Sequence, residues 1–300
     1  MWTLKTDKNN WAQELQQYLS EHTDFIEKNG GVDLDECGLP PEFRKMLREM
    51  LRELNLPKIN AESREIRPVN SFYTRCGKRM LDILISSAAL VITLPVNGIL
   101  LVCTYFDVGS PVIFRQKRIG KDEKTFEIIK FRNMTNATDA NGNLLPAKDR
   151  VTKFGTVVRK LSLDELMNFW SVFKGDMSII GPRPLVPEYQ DAMSKRHRAR
   201  SLVRPGLECP NVRPGVRQSG WDEQFENDVY YVEHISLKTD VKMLMALVRM
   251  VFDRKSSSVR GNAHRGSFMG YDKNGVCINS MHVPLEYIKR LLEKAEDCEE

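Results

Sequence analysis

Two adjacent carboxylates, Asp164 and Glu165, stand in the stretch KLSLDELMNFW, residues 160–170. A carboxylate can attack phosphorus, and the acyl phosphate it forms stays reactive enough to pass its group to a weak acceptor. A serine could attack too, but its phosphodiester is a far poorer donor. Such chemistry requires an ionised carboxylate and neutralisation of phosphate charge by Mg²⁺ and basic side chains. Asp164 beside Glu165 offers both a nucleophile and hard oxygen ligands for the metal. Basic groups lie close in sequence: Lys130 and Arg132 in IIKFRNM, Arg159 in VVRKLSL and Arg183 in IIGPRPL. Pro182 and Pro184 flank Arg183 and stiffen its backbone, which suits a guanidinium preorganised for a phosphate.

The same residues also have an ordinary structural reading. Ser162-Leu163-Asp164-Glu165 fits the S-x-x-E capping box, with Ser162 as the cap and Glu165 reaching back to its amide. Leu163, Leu166, Met167, Trp170 and Phe173 follow at helical spacing, which predicts a buried apolar face with Asp164, Glu165 and Asn168 turned away from it. Carboxylates in a first turn suit the positive end of a helix, which would help keep Asp164 ionised. Each basic residue, taken singly, reads as a solvated surface charge.

The elements that must position these residues begin with a long apolar segment. Between Asp82 and Asp107 lie 24 residues without a formal charge, enough for a straight helix to cross a bilayer. In its middle stands LPVNG, where Pro95 removes the bond to the carbonyl of Val91 and Asn97-Gly98 is a turn signal. Both flanks are basic, with Arg75, Lys78 and Arg79 before and Arg115, Lys117, Arg118 and Lys121 after. The positive-inside rule pulls both flanks to the cytoplasm. A single spanning helix and a broken helix that re-enters one leaflet are both open on these residues, the second satisfying both observations.

The 300 residues carry 41% apolar side chains, enough for a real core, which excludes a disordered chain. Residues 1–70 carry a net charge of −3 and the remainder +8, so the basic part should meet phosphates or an anionic membrane surface rather than nucleic acid. Six cysteines are scattered with no C-x-x-C pair, which predicts reduced thiols and argues against zinc. The N-terminus has no basic region followed by an apolar one, and no cleavable signal peptide is expected.

Residues 9–29 and 40–55 read as two helices, the second opened by Pro40-Pro41. A linker follows to about residue 70. PVIFRQ and TFEIIKF are strand-like runs consistent with a hairpin, and residues 135–150 read as a loop. Residues 237–252 form a Met-rich helix, either core or membrane-surface. DRKSSSVRGNAHRG reads as a linker and PLEYIKRLLEKAED as a terminal helix. VRPGL at 203 returns as VRPGV at 212.

In order along residues 72–253, the chain carries KRMLDILIS, the Pro-broken apolar segment, PVIFRQKRIG, FEIIKFRNM, VVRKLSLDELMNFWSVFKGDMSIIGPRPL and DVYYVEHISLKTDVKML. This series resembles the bacterial sugar transferases, also called monotopic phosphoglycosyl transferases. The resemblance implies an α+β monotopic membrane protein with a re-entrant Pro-broken helix hairpin, amphipathic interfacial helices and a small β-hairpin or sheet. Its parts would be an acidic helical extension and linker (1–70), the re-entrant helix (72–110), a catalytic domain (111–253) and a basic linker with C-terminal extension (254–300). The implied reaction moves a phosphosugar from a nucleotide diphosphate sugar, usually UDP-linked, to polyprenyl phosphate, with UMP as leaving product. It would take place at the cytoplasmic face of the bacterial inner membrane, in contact with membrane lipids.

Carried over by resemblance, Asp164 is the nucleophile and Glu165 holds Mg²⁺, with Asp164 as a further metal ligand. Arg183 of the G-P-R-P loop, and Lys130 and Arg132 of the K-F-R-x-M strand, bind phosphate or nucleotide, with Arg159 and Asp228 as additions. Pro95 matches the helix-breaking proline, and Lys78 and Arg79 the interfacial anchor. The chain departs from the family after Pro205-Gly206, where Glu208 replaces a threonine and a Q-V-x-G-R block is rearranged, leaving the sugar open. A rival class is a non-catalytic membrane-anchored scaffold recruiting glycan-assembly enzymes. The N-terminal helices offer a contact surface for such partners or for a second copy. An aspartyl phosphatase is disfavoured because no D-x-D-x-T motif is present.

Overall fold

The computed structural model describes residues 8–23, 26, 30–35, 37, 41–138, 144–145, 147–210, 220–252 and 266–296. The chain mixes helices with four two-stranded ladders among the described residues. One helix dominates: a π-helical turn, Tyr73–Gly77, runs into α3, Lys78–Val108. Together they form the one described helix long and apolar enough to cross a membrane. The helix continues across Pro95 although that residue cannot donate to the carbonyl of Val91, so the expected break in the helix is not present.

Both ends of α3 are fastened to the body of the protein. Near the start, Asp82 Oδ1 accepts from Ser178 Oγ and Ile179 N, both at 2.9 Å. Lys78 Nζ donates to Ile180 O at 3.0 Å and to Asp240 Oδ2 at 2.6 Å. Arg79 donates to Val172 O and Phe173 O, both at 2.6 Å. The basic pair expected at the lipid interface is therefore turned inward, because buried carbonyls and a carboxylate there need donors. At the far end Leu100 is buried with Phe131 and Val158, and Thr152 Oγ1 donates to Asp107 Oδ2 at 2.6 Å. Between these anchors the apolar side chains of Val91, Ile92, Leu94 and Ile99 are exposed.

The hairpin expected from the strand-like runs is present: β2 (Ile113–Ile119) pairs antiparallel with β3 (Thr125–Phe131). α4 (Lys153–Lys160) is capped by Thr152, whose side chain accepts from Gly155 N. α5 (Asn168–Lys174) leads to β4 (Ser178–Ile180), which pairs in parallel with β5 (Gly206–Glu208). α6 (Trp221–Glu233) and α7 (Leu237–Phe252) complete the body. Ile128 of β3, Val172 of α5, Ile179 of β4, Tyr231 of α6 and Met243 of α7 share one buried cluster, and burying each such side chain is worth about 1.5–3 kcal/mol.

The two chain ends meet. α1 (Lys8–Glu21) and α2 (Pro41–Ala61) pack with β6 (Phe268–Tyr271), β7 (Cys277–Asn279) and α8 (Leu285–Glu296). Their core includes Leu15, Phe43, Leu47, Leu51, Met269, Ile278 and Ile288, and β1 (Gly31–Val32) pairs antiparallel with β8 (Val283–Pro284). Two stretches read from sequence as separate extensions thus form one module. α1 ends at Glu21, but Thr23 and Ile26 are again helical and Ile26 N donates to His22 O at 3.0 Å; residues 24, 25 and 27–29 of the expected helix lie outside the described residues. α2 passes Pro57 and ends at Ala61 rather than 55, carrying the buried Leu56 into the junction with the body. The second VRPG stretch and the basic linker lie outside the described residues. The edges of the 135–150 loop are bridged at Met134–Val151 and Thr138–Leu144.

Candidate active site

Ser162 does not cap a helix. It adopts a left-handed conformation, φ 55° and ψ 27°, and makes no side-chain capping bond. Leu163–Glu165 forms a single 3₁₀ turn, and α5 begins only at Asn168. The expected capping box is absent because Ser162 is left-handed where a cap residue is extended, while Glu165 Oε1 is turned to basic side chains. The helical phase predicted from Leu163 is also broken, so Trp170 and Phe173, expected in the core, are exposed and stack on each other at 5.7 Å.

Glu165 Oε1 accepts from Lys130 Nζ at 2.6 Å and from Arg183 Nη2 at 3.1 Å. Arg183 Nη1 reaches Glu208 Oε2 at 3.4 Å. Lys130 arrives on β3, whose Ile129 amide donates to Asn168 Oδ1 at 3.3 Å, so strand and turn are pinned together. The Arg183 loop lies where β4 and β5 close on each other: a Cβ on Gly206 would stand 2.1 Å from Gly181 N. These residues open on a cleft lined also by Arg118, Asn168, Pro184 and Leu207.

Asp164 is buried beside this cluster. Asn133 Nδ2 donates to its Oδ2 at 3.2 Å, while Asn133 Oδ1 accepts from Arg159 Nε at 2.9 Å. α4 approaches Asn133 so closely that a Cβ at Gly155 would fall 2.2 Å from Asn133 O. Burial pushes the Asp164 carboxyl above its ordinary range; Lys130 pulls it down, Glu165 pushes it up, and Arg159 pulls it down. The helix end expected to keep Asp164 ionised does not reach it; Lys130 and Arg159 favour the ionised form without outweighing burial. For Glu165 burial also opposes ionisation, but Arg183 and Lys130 outweigh it and hold the carboxyl below its usual value. The result is two neighbouring carboxylates with pKa values pushed apart, a pattern that separates roles.

Among the sequence-predicted residues, Lys130, Arg159, Asp164, Glu165 and Arg183 converge. Arg132 does not: its guanidinium donates to Val108 O, Gly109 O and Ser110 O at the end of α3. β3 ends at Phe131, so strand alternation no longer holds Arg132 on the face of Lys130. Asp228 is also apart. It pairs with Arg200 at 2.7 Å deep inside the body, and Arg200 Nη2 donates to Arg183 O at 2.7 Å. Pro95 lies on the exposed stretch of α3, away from the cluster.

Sequence reasoning passed over Asn133, which follows Arg132 directly, and read Arg118 only as a basic flank. The buried Nε of Arg118 has no partner, although its Nη2 donates to Gln116 Oε1 at 2.6 Å. Glu208, singled out only as a replacement, proves to be a second carboxylate on Arg183.

A divalent ion suits this donor set. Both contacts of Glu165 are made by Oε1, so Oε2 is uncommitted. Among the described residues no group of three or more His, Cys, Asp and Glu side chains is placed to hold a metal. An Mg²⁺ ion here would rest on Glu165, with Asp164 adjacent, and on substrate phosphates and waters for its other ligands.

Residues 73–254 match the family model described as bacterial sugar transferase. An uncharacterized sugar transferase EpsL of Bacillus subtilis is 38% identical over 174 residues, 58% of this chain and 86% of the relative. The UDP-N-acetylgalactosamine-undecaprenyl-phosphate N-acetylgalactosaminephosphotransferase of Aeromonas hydrophila is 36% identical, over 58% of this chain and 43% of its own length. The UDP-glucose:undecaprenyl-phosphate glucose-1-phosphate transferase of Escherichia coli is 30% identical, over 83% of this chain and 60% of its own. The chain thus spans less than two thirds of the two relatives named for a reaction. With well over half of its residues inside the family model, and the carboxylate–cation cluster within that span, the chain belongs to the bacterial sugar transferase family.

Proposed function

We propose that the chain transfers a phosphosugar from a UDP-sugar to polyprenyl phosphate, making the first lipid-linked intermediate of a glycan. The observation that carries this reading is a buried carboxylate, Asp164, placed among Lys130, Arg159 and Asn133 beside a cleft headed by Glu165 and Arg183. The two relatives named for undecaprenyl-phosphate phosphotransfer support the choice of donor and acceptor.

A carboxylate oxygen of Asp164 attacks the β-phosphorus, and the bond from that phosphorus to the bridging oxygen breaks. UMP leaves with the bonding pair, and an aspartyl phosphosugar remains. An oxygen of polyprenyl phosphate then attacks the same phosphorus, the acyl phosphate bond breaks, and Asp164 returns as carboxylate. Asn133 fixes the orientation of Asp164 while Lys130 and Arg159 favour its ionised form. Arg183 exchanges its carboxylate partners for phosphate oxygens as the donor enters. Mg²⁺, held by Glu165 with Asp164 adjacent, supplies charge neutralisation on the diphosphate when bound.

The acceptor is a membrane lipid, so α3 belongs in the bilayer of the inner membrane, and we read it as re-entrant. Its two ends are anchored to one body at Asp82 and Leu100, and the exposed apolar middle lies between. The exposed apolar side chains of α4 and the residue after it (Val157, Leu161), α5 (Trp170, Phe173) and α7 (Val241, Met245) suit helices lying at the interface. The active site then faces the cytoplasm, where nucleotide sugars are available.

The decisive measurement is UMP release from a panel of UDP-sugars with polyprenyl phosphate and Mg²⁺. Asp164→Asn should lower turnover at least about 10³-fold, and undiminished turnover would sink the mechanism. Cysteines placed near residues 72 and 110 should both label from the cytoplasmic side. Labelling from opposite sides would instead establish a spanning helix.

A further inference from the structure

Among the described residues the module built from the two chain ends contributes no side chain to the cleft, yet it stands directly behind the Arg183 loop. We propose that this module is the backing of that loop, with Tyr271 and Leu56 as positioning residues that hold Arg183 ready for the donor diphosphate. The inference rests on the phosphate-binding role given to Arg183 above.

Three contacts carry it. Leu185, two residues beyond Arg183, is buried in a cluster completed by Leu56, Phe268 and Tyr271 of the module and by Ile119, Met193 and Phe225 of the body. The turn that follows is also tied to the module. Tyr271 Oη accepts from Ser194 N at 3.1 Å and shares a hydrogen bond with His197 Nδ1 at 2.8 Å, and Lys195 N donates to Asn60 Oδ1 at 2.7 Å. Three residues beyond His197, Arg200 donates to the carbonyl of Arg183 itself at 2.7 Å. The loop is therefore gripped at a side chain and at a carbonyl, and both grips lead back to residues from the chain ends.

Buried packing of this density transmits small displacements rather than absorbing them. A guanidinium that binds a diphosphate gains from being held in place beforehand, and a shift of about 1 Å can cost two orders of magnitude. The neighbouring ion pair between Arg48 and Glu188, at 3.6 Å, joins α2 to the segment just after the loop. With Glu188 exposed, it adds little to the grip.

The test is a double-mutant cycle on the full chain, read as the dissociation constant of UDP by calorimetry. UDP carries both donor phosphates and needs neither the correct sugar nor turnover. Tyr271→Phe, which keeps the ring and removes the hydroxyl, should weaken UDP about fivefold in the parent and less than about twofold in an Arg183→Ala background. Leu56→Ala should behave alike, with a larger first effect. Ile288→Ala, in the module's own core away from the junction, should lower thermal stability without this coupling.

Equal fold-losses in both backgrounds, or no loss for Tyr271→Phe, would overturn the positioning role. Unaltered UDP affinity in Arg183→Ala would remove the arginine's role and the inference with it. Retained turnover in Asp164→Asn, beside a coupled cycle, would overturn the covalent mechanism and leave the positioning intact.

Discussion

Two carboxylate–arginine pairs stand back to back in this protein, and water separates their purposes. Glu165 and Arg183 face the cleft with side chains 27% and 47% exposed. Asp228 and Arg200, just behind the same loop, are 1% and 4% exposed. In the open pair each partner is shared, Glu165 with Lys130 and Arg183 with Glu208, so a ligand phosphate can replace a carboxylate without leaving a bare charge. In the sealed pair no such exchange is open. Arg200 spends its donors on Asp228 and on Arg183 O, with its guanidinium 5.7 Å from the Phe225 ring. Under the proposed function the same two residue types bind substrate in one place and hold backbone in the other, and solvent exposure separates the two.

The comparison breaks most visibly under neutralising substitutions. Asp228→Asn leaves Arg200 charged and buried without its counter-ion, and should cost about 3–5 kcal/mol of folding stability. Glu165→Gln should change stability by less than about 1 kcal/mol, yet lower UMP release about 10²- to 10³-fold. Chemical denaturation and steady-state rates on the two variants check both halves. If Glu165→Gln proves the more destabilising, the open pair is structural after all.

How much of this was legible in the sequence depends on whether a signal was local. The hairpin could be read because period-two runs flank a polar turn, and the apolar helix because 24 uncharged residues are hard to place elsewhere. Asp164, Glu165, Lys130, Arg159 and Arg183 were legible as chemistry, and the fold brings them together. Arg132 and Asp228 show where such reading stops. Residue type carries charge but not direction, and whether a guanidinium faces a cleft or a helix end is settled by where a strand ends. The capping box failed for a related reason: Ser162 takes a left-handed conformation that no local pattern announces, and Glu165 turns to tertiary partners. The union of the two chain ends was beyond reach, since strands as short as Gly31–Val32 and Val283–Pro284 leave no periodic trace.

Titration offers a finer contrast between neighbours within the open site. As the proposed nucleophile, Asp164 would attack only as carboxylate, and its pKa is raised chiefly by burial and also by Glu165, against Lys130 and Arg159. The acid limb of kcat/KM should therefore lie above the ordinary carboxylate range, with a slope of about tenfold per pH unit. Removing the charge of Glu165 should move that limb to lower pH, and Lys130→Met should move it higher. The consequence for stability has the opposite sense to that of a salt-bridged acid. A raised folded pKa means the native state binds the proton more tightly than the unfolded chain. The favourable contribution of Asp164 is then full below the unfolded pKa and lost as pH rises through the folded one. Asp164→Asn should accordingly raise the melting temperature near about pH 8, and the gain should vanish below about pH 3, where both carboxyl states are protonated. A melting temperature lowered by this substitution at neutral pH would mean that the cations around Asp164 outweigh its burial. The poised nucleophile would then be an ordinary paired acid, like Glu165 beside it.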